Sequence, residues 1–400
     1  MFDRLRFFFF FLLICATAGW MGHKMFRYFT HATPPTFELK GITQNGTYAR
    51  TTHAAVTADT AYKIASVKIT LDGKEILNER VKARQFEAPF TIETLSLPDG
   101  PHTLDVEAVD ASYHQNRTDL RCNIFIDNTP LRVAFLDPEY AVDQGKTAHL
   151  RIQSNKKLAR AEMKIFASTY SFYAESDEST LYECFIPVSC EERPLEHMVT
   201  VDIQDVVGDK AQLTTKVQVK AFEFKKQHGF TVQQSKLNQE KELSMSMKIL
   251  DEALAKWVKE SPRKKGWSGP FEYPISVQRM STPFGEIRMT AERGRYMHKG
   301  IDLINRPKCV VWAAQDGKVI IKDRFFLTGN TVVLDHGLGV FTLYAHLEEF
   351  ADLEVGEMLK KGNPVGKLGM TGYATGYHLH WELRVNNMPV DPIEWTNKVY

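Results

Sequence analysis

The sequence has no excess of charge of either sign, which removes the electrostatic case for a nucleic-acid partner. Its 400 residues include 50 Lys and Arg against 49 Asp and Glu, so the formal net charge is +1. Proteins that bind nucleic acid through phosphates usually carry a basic surface, and nothing in this balance favours one. The length exceeds the usual size of a single hydrophobic core, and we expect two to four domains.

Two common zinc-binding patterns are also missing. The five cysteines contain no Cys-x-x-Cys pair, so a thiolate zinc site is not expected. The chain has no His-Glu-x-x-His motif either, so we expect no helix-borne glutamate acting as a general base. Metal chemistry in this chain would need a different set of ligands.

The N-terminus has one uncharged hydrophobic run, which is shorter than a typical membrane-spanning helix. The 16 uncharged residues 7–22 follow Arg4 and Arg6, whereas a spanning helix needs roughly 20 apolar residues. Ala16-Thr17-Ala18 has the small-x-small pattern of a signal-peptidase site, but Lys24 beyond the run is equally compatible with an uncleaved anchor. The sequence predicts an exported protein of the periplasm or cell envelope. Residues 1–33 would be a signal peptide, or an inner-membrane anchor through residues 7–22, followed by a tether.

Export would permit disulfide bonds. Cys184 and Cys190 lie close in sequence around Pro187 and are candidates for a local pair. Free buried thiols at these positions are an equally open interpretation.

The segment after the tether has the pattern of short β-strands. Val67, Ile69 and Leu71 alternate with polar residues and lead into the turn pair Asp72-Gly73. Similar strands recur up to about residue 225, which predicts two β-sandwich domains at residues 34–130 and 131–225. The first resembles bacterial immunoglobulin-like modules in its turn sequences. We expect both domains to be scaffolds, with a binding or inhibitory role as the alternative.

The hydrophobic period changes to that of a helix between Ser235 and Glu260. Leu243, Met247, Leu250 and Leu254 recur on one face. Residues 226–265 are therefore predicted to be an amphipathic helix and a linker. We expect the helix to pack against a neighbouring domain.

Residues 266–400 contain glycine turns between short β-rich runs, which predicts an antiparallel β domain. The chain as a whole is thus expected to be mainly β. The strands expected in this domain are residues 310–314, 318–322, 331–334, 341–345, 365–368 and 378–385.

Five of the 13 histidines fall within this last domain. In the predicted strand 376–383, His378 and His380 point to the same face because side chains alternate along a strand. His298 and Asp302 are separated by three residues near the start of another strand. Together with His380 they would supply two imidazoles and one carboxylate, a donor set that suits Zn²⁺ and leaves a position for water.

Two further histidines are expected to flank that position. His378 shares the face of His380, and His346 lies at the end of another predicted strand. A neutral imidazole can accept a proton from water during attack on a carbonyl, and a second can donate to the developing negative charge. Glu382 shares the same face and either holds one imidazole or lies at the rim of the domain.

Residues 271–395 resemble the lysostaphin and LytM-type zinc peptidases that cut bacterial peptidoglycan. The resemblance is carried by Ser281-Thr282-Pro283-Phe284-Gly285 with Arg288, His298-x-Gly300-x-Asp302, Tyr344-Ala345-His346-Leu347, Val365-Gly366-Lys367-Leu368-Gly369 with Thr371-Gly372, and His378-Leu379-His380-Trp381-Glu382. It implies that His298, Asp302 and His380 are zinc ligands and that His346 and His378 are catalytic.

The resemblance implies a zinc metalloendopeptidase that hydrolyses peptide cross-links of peptidoglycan by direct attack of zinc-bound water. Its substrate would be peptidoglycan stem peptides, with direct 3-4 or 3-3 cross-links expected over polyglycine bridges. An alternative is a wall-binding activator of another hydrolase, although all five site positions are filled. A further hypothesis is that the helix or the N-terminal part covers the cleft until displaced.

Overall fold

The structure is a computed structural model that describes residues 2–227, 240–290 and 294–400. It is mainly β, which confirms the predicted fold class. The chain divides into two compact units. One comprises Met1–Pro130 with the short loop Val206–Gly208, and the other comprises Leu131–Asp205 with Asp209–Tyr400.

The first unit begins with helix α1, Phe2–Thr30, whose residues Phe8–Thr30 are long and apolar enough to cross a membrane. The C-terminal end of the helix is held against the sandwich that follows it. The backbone N–H of Tyr113 donates to the carbonyl of Tyr28, 3.0 Å away, and Asn116 Nδ2 donates to the carbonyl of His31. The helix therefore joins the first sandwich through a hydrogen-bonded junction.

The first sandwich consists of two sheets with strand orders β1-β3-β6 and β2-β8-β7-β4-β5. In the predicted strand after Gly100, Leu104, Val106 and Ala108 alternate inward and are buried. The strands are β1 Thr36–Lys40, β2 Thr47–Tyr48, β3 Thr51–Asp59, β4 Ile64–Leu71, β5 Lys74–Arg80, β6 Gln85–Glu93, β7 Gly100–Asp110 and β8 Arg117–Ile126, with a short 3₁₀ helix at Thr94–Ser96.

The second sandwich belongs to the other unit and has sheets of order β10-β17-β16-β12-β13 and β14-β15-β11-β9. Cys184 is buried in its core, whereas Cys190 packs against the hydrophobic core that includes Trp267 and Trp395. All five cysteines of the described chain are free thiols. The strands are β9 Val133–Phe135, β10 Tyr140–Asp143, β11 Thr147–Ser154, β12 Leu158–Ile165, β13 Ser168–Ser171, β14 Tyr173–Ala174, β15 Leu181–Pro187, β16 Glu196–Asp205 and β17 Lys210–Lys220.

Helix α2, Glu240–Glu260, follows, so the predicted amphipathic helix is present. Its expected first residues, 235–239, and the side chain of Leu243 lie outside the described part of the structure. Leu250 and Leu254 pack on the β domain, against residues that include Val333, Leu343 and Ala345. The helix thus packs on a neighbouring β domain, as expected from its apolar face.

The C-terminal region contains a ten-stranded antiparallel sheet with the central order β18-β21-β28-β25-β24-β23-β26. The six predicted strands all correspond to observed ones, whereas most of the segment from β18 to β20 and the last helix were not predicted. The elements are β18 Arg279–Thr282, β19 Ile287–Thr290, β20 Gly294–Met297, β21 Ile301–Ile304, β22 Val310–Trp312, β23 Gly317–Phe325, β24 Gly329–Asp335, β25 Val340–Phe350, β26 Met358–Leu359, β27 Pro364–Leu368, β28 Leu379–Val385, β29 Met388–Val390 and α3 Pro392–Asn397.

The second sandwich and the C-terminal sheet share one aromatic core. Phe185 of β15 lies with its ring centroid 5.6 Å from that of Trp395 and 5.7 Å from that of Trp267. Trp395 Nε1 donates to Thr147 Oγ1, and the backbone N–H of Thr147 donates to a carboxylate oxygen of Glu394. These contacts make the second sandwich a structural part of the C-terminal unit.

Candidate metal centre

Two adjacent strands place the first two predicted ligands side by side. Asp302 of β21 lies directly opposite His380 of β28 in the antiparallel register, and opposed side chains point to the same face of a sheet. Gly300 makes this approach possible, because a Cβ atom there would lie 2.4 Å from the carbonyl oxygen of Trp381. The glycine between His298 and Asp302 therefore allows the loop to pack closely against the backbone of strand β28.

The third predicted ligand completes a compact, buried group. His298 Nε2 lies 3.1 Å from Asp302 Oδ1 and 3.0 Å from His380 Nδ1. His380 Nδ1 lies 2.9 Å from Asp302 Oδ1. Around a tetrahedral zinc ion with bonds of about 2.0–2.2 Å, the ligand atoms would lie about 3.3 Å apart. The three donor atoms therefore fit a metal ion with only small movements.

The hydrogen bonds of the two ligand imidazoles leave the inward nitrogens available. His298 Nδ1 lies 3.2 Å from the carbonyl oxygen of Pro283, and His380 Nε2 lies 2.9 Å from Glu382 Oε1. A metal ion would take the place of the protons that the inward nitrogens share with Asp302, and an N–H kept at each outer position would then leave a lone pair at His298 Nε2 and at His380 Nδ1. Such outer partners are the usual means of orienting a metal-binding histidine.

His346 reaches the same face through an irregularity in β25. Simple alternation would place it with the buried Tyr344, but a bulge interrupts the pairing of β24 with β25 at this point. His346 itself has a φ of 59°, a left-handed conformation that is uncommon for a residue with a side chain. Backbone strain of this kind concentrates at functional sites. The bulge turns the imidazole towards His378 and His380.

The two predicted catalytic histidines lie beside each other next to the ligand group. Their ring centroids are 4.7 Å apart, and that of His346 lies 6.0 Å from His380. His346 Nδ1 donates to the carbonyl of Thr371, and His378 Nδ1 to that of Gly376, each at 2.8 Å. Both imidazoles therefore direct a free Nε2 lone pair away from these backbone contacts.

The pKa values follow from burial and from the carboxylates. Burial alone would lower the pKa of His380, but Asp302 and Glu382 outweigh it and raise that pKa to about 9. Burial would also raise the pKa of Asp302, and hydrogen bonds from His298 and His380 instead hold it well below its usual value. The ligand group thus favours a positive charge at its centre.

At the two flanking histidines, burial outweighs the nearby carboxylate and the pKa values are lowered. Burial lowers the pKa of His346 to about 3, with the neighbouring imidazoles His378 and His380 adding to the effect. Burial also lowers the pKa of His378. Both are neutral at pH 7, which is the form that accepts a proton.

His336 and Tyr344 of the same domain lie in its core, away from the candidate site. His336 is buried in the core, and its Nδ1 donates to the carbonyl of Asp316, so it does not touch the site. Tyr344 is fully buried and receives a hydrogen bond from the backbone N–H of Ala314. It is a core residue. Tyr377 is partly exposed beside His378.

Sequence reasoning missed one contact to the site. Arg384 Nε donates to Glu382 Oε2 at 2.6 Å, and Arg384 Nη1 donates to Asp251 Oδ1 of α2 at 2.7 Å. The alternation of His380, Glu382 and Arg384 along β28 could have shown the first pair. No pattern within the sequence pointed to Asp251, which lies 133 residues from its partner.

Comparisons with known proteins bear on this region of the chain. The model of peptidase family M23 matches residues 296–392. DD-carboxypeptidase/endopeptidase Mpg of Neisseria meningitidis is 38% identical over 120 residues, which cover 30% of this chain and 27% of that protein. Peptidoglycan DD-endopeptidase ShyB of Vibrio cholerae is 32% identical over 125 residues, or 30% of this chain and 29% of that protein.

A solved zinc-containing peptidase from Vibrio cholerae aligns with 74% of this chain and 81% of its own, at 15% identity and a TM-score of 0.31. The alignments with Mpg and ShyB each cover less than a third of the curated relative's own length. The matched residues contain all five histidine and aspartate positions of the site. The C-terminal part of this chain is therefore a domain of peptidase family M23.

Proposed function

We propose that this protein is an exported zinc endopeptidase that hydrolyses peptide cross-links of bacterial peptidoglycan. The observation that carries the proposal is the convergence of His298, Asp302 and His380 with the neutral imidazoles of His346 and His378. The similarity to ShyB, which is named a peptidoglycan DD-endopeptidase, and to Mpg, which is named a DD-carboxypeptidase/endopeptidase, supports the substrate class.

His298 Nε2, Asp302 Oδ1 and His380 Nδ1 would hold the zinc ion. Bound zinc supplies a Lewis acid that polarises a carbonyl and lowers the pKa of water. His346 Nε2 accepts the proton that water loses as it attacks the peptide carbonyl. His378 donates to the developing oxyanion or to the leaving amine only in its protonated form, so this step requires that His378 Nε2 first takes up a proton from solvent. No acyl-enzyme is involved in this scheme.

The walls of the groove would set which cross-link is cut. Segment 324–330 lies beside the site, since the carbonyl of Thr328 accepts from the backbone N–H of His346 and that of Leu327 from Tyr373. Residues 348–355 follow directly from β25. We propose direct 3-4 or 3-3 stem-peptide cross-links as the substrate, to be identified from the muropeptides that the enzyme releases.

We place the protein in the cell envelope and propose that α1 anchors it to the inner membrane. The apolar stretch of 23 residues supports this location, as does the continuous helix through Ala16–Ala18. Removal of the helix after Ala18 is the competing outcome. The intact mass of the protein recovered from membranes distinguishes the two outcomes, because cleavage would give a chain that begins at Gly19.

Substitutions at the site test the roles. His346→Ala should abolish digestion of purified peptidoglycan while bound zinc stays near one equivalent, because His346 lies outside the ligand group. His298→Ala should lose both activity and zinc. His53→Ala, at an exposed position of the first sandwich, is the matched control and should keep both. Undiminished digestion by His346→Ala would contradict the assignment.

Occlusion of the cleft by the N-terminal part is a further hypothesis. It predicts that residues 131–400 digest peptidoglycan faster than the full-length chain. Equal rates at equal zinc content would rule out occlusion by residues 1–130.

A further inference from the structure

A chain of hydrogen bonds and ion pairs runs from the ligand His380 to helix α2. Glu382 accepts from His380 Nε2 through one carboxylate oxygen and from Arg384 Nε through the other. Arg384 Nη1 then donates to Asp251 Oδ1 at 2.7 Å. Glu382 and Arg384 are 3% and 2% exposed, so this chain is shielded from water along β28.

Asp251 also reaches the other ligand-bearing segment. Its Oδ2 lies 3.1 Å from Nζ of Lys299, the residue that follows His298. One carboxylate on the helix thus holds a cation from the strand of His380 and a cation from the loop of His298. Asn387 reinforces this arrangement, because its Nδ2 donates to the backbone carbonyl of Asp251 and its Oδ1 accepts from Arg384.

We propose that Asp251 is a positioning residue of the metal centre, which it holds in register through Arg384 and Glu382 on one side and through Lys299 on the other. This inference rests on the proposed function, because it assumes that the site binds zinc. It extends the centre beyond residues 296–392, which match the family, to helix α2, which lies outside that match.

The physical reason is the burial of Arg384. A buried guanidinium requires charged partners, and the removal of one partner leaves the charge poorly compensated. Arg384 contacts two carboxylates, those of Glu382 and Asp251. Without Asp251, Glu382 would be the one that remains of these two. Glu382 would then turn towards Arg384 and weaken the hydrogen bond that fixes His380 Nε2. The imidazole whose Nδ1 faces the metal would lose its orientation.

The expected effect is a loss of zinc affinity. Changing a direct outer partner such as Glu382 typically weakens metal binding about 10- to 100-fold. Asp251 acts one residue further out, and we expect Asp251→Asn to raise the zinc dissociation constant by roughly 3- to 10-fold, below that range. Asp251→Glu retains the charge and should recover part of the affinity.

The test measures zinc dissociation constants of the full-length protein by competition with a chelating dye, together with the visible spectrum of the cobalt(II)-substituted protein. Asp251→Asn should weaken zinc binding and shift the cobalt bands, because the geometry of His380 changes. Lys299→Met, at a partly exposed side chain, should give a smaller loss in the same direction. Glu252→Gln, which changes the neighbouring exposed acid that pairs with Lys248 on the helix surface, is the control and should match the parent protein.

Two results would overturn the proposal. One is an Asp251→Asn protein whose zinc affinity lies within twofold of the parent and whose cobalt spectrum is unchanged. The other is an equal loss of affinity in Glu252→Gln. The peptidase assay decides a separate question: a protein that binds zinc in the expected order of affinities but cuts no peptidoglycan would refute the proposed function and leave the role of Asp251 standing.

Discussion

Each of the four histidines at the candidate metal centre is fixed by a hydrogen bond at the nitrogen that faces away from the others. Three of these bonds go to backbone carbonyls, of Pro283, Thr371 and Gly376, and the fourth goes to Glu382. Backbone acceptors do not titrate, so they select one tautomer over a wide pH range. The side-chain chemistry of the site is therefore set largely by main-chain geometry.

His336 provides a residue-scale test of the core beside the site. Burial lowers the pKa of His336 to about 4, although the carbonyl of Asp316 opposes the shift. The unfolded chain takes up a proton at this position from about pH 6.5 downwards, while the folded chain does so only near pH 4. The stability contributed by the neutral ring is complete above about pH 6.5 and is lost as the pH falls towards 4.

Nitrogen-detected NMR of the histidine rings checks this expectation. The His336 signals should remain those of the neutral tautomer with hydrogen at Nδ1 at pH 5.5. A protonated His336 at that pH would contradict the assignment of its burial.

Four of the five predicted site residues lie in two short motifs, His298 to Asp302 and His378 to His380, and their spacing indicated from the sequence alone that the members of each motif lie close together. The conformation that brings in His346 could not be predicted in this way, because strand alternation places that residue on the core side with Tyr344. A bulge depends on the pairing of two strands distant in sequence. The core position of Tyr344 and the contact of Asp251 depend on tertiary packing in the same way.

At the scale of elements, helix α2 and strand β28 share one face of the sheet. Ala345 lies opposite His380 and Leu343 opposite Glu382 in the register of β25 with β28. The same residues of β25 contact Leu250 and Leu254 of the helix. The helix therefore covers the sheet surface next to the predicted metal ligands. Its amphipathic pattern predicted packing, but not which surface it covers.

Leu254→Ala tests the docking of this helix. Leu254 is fully buried, and removal of such a side chain costs about 2–4 kcal/mol. The amide protons of α2 in the full-length protein should exchange with deuterium at least roughly 30-fold faster, the factor that corresponds to about 2 kcal/mol. Lys248→Ala, at an exposed position on the same helix, should leave exchange within about twofold of the parent. Unchanged exchange in Leu254→Ala would mean that the helix is held by other contacts.

At the scale of the whole molecule, we propose the division into residues 34–130, 131–225, 226–265 and 266–400 given by the sequence, with one qualification from the packing. Phe185 of the second sandwich lies in the same core as Trp267, Phe271 and Trp395. A sandwich bound in this way is more than a spacer, because its removal would expose a cluster of large aromatic side chains.

Truncation tests this arrangement. Residues 131–400 should fold to a soluble monomer that unfolds in one cooperative transition. Residues 266–400 should aggregate or unfold at a much lower temperature, since the exposure of several buried aromatic side chains and the loss of α2 cost on the order of several kcal/mol. Differential scanning calorimetry of both fragments compares them directly. Equal melting temperatures would show that the peptidase domain is independent of the sandwich.

The central claim is that the five-residue site cuts peptide cross-links, and the most direct measurement is mass spectrometry of muropeptides from purified sacculi after digestion. The zinc-loaded protein should convert cross-linked dimers into monomers with a new free peptide end and leave the glycan strands intact. Chelation should stop the conversion, and added zinc should restore it. A folded, zinc-bound protein that leaves every cross-linked muropeptide unchanged would contradict the account.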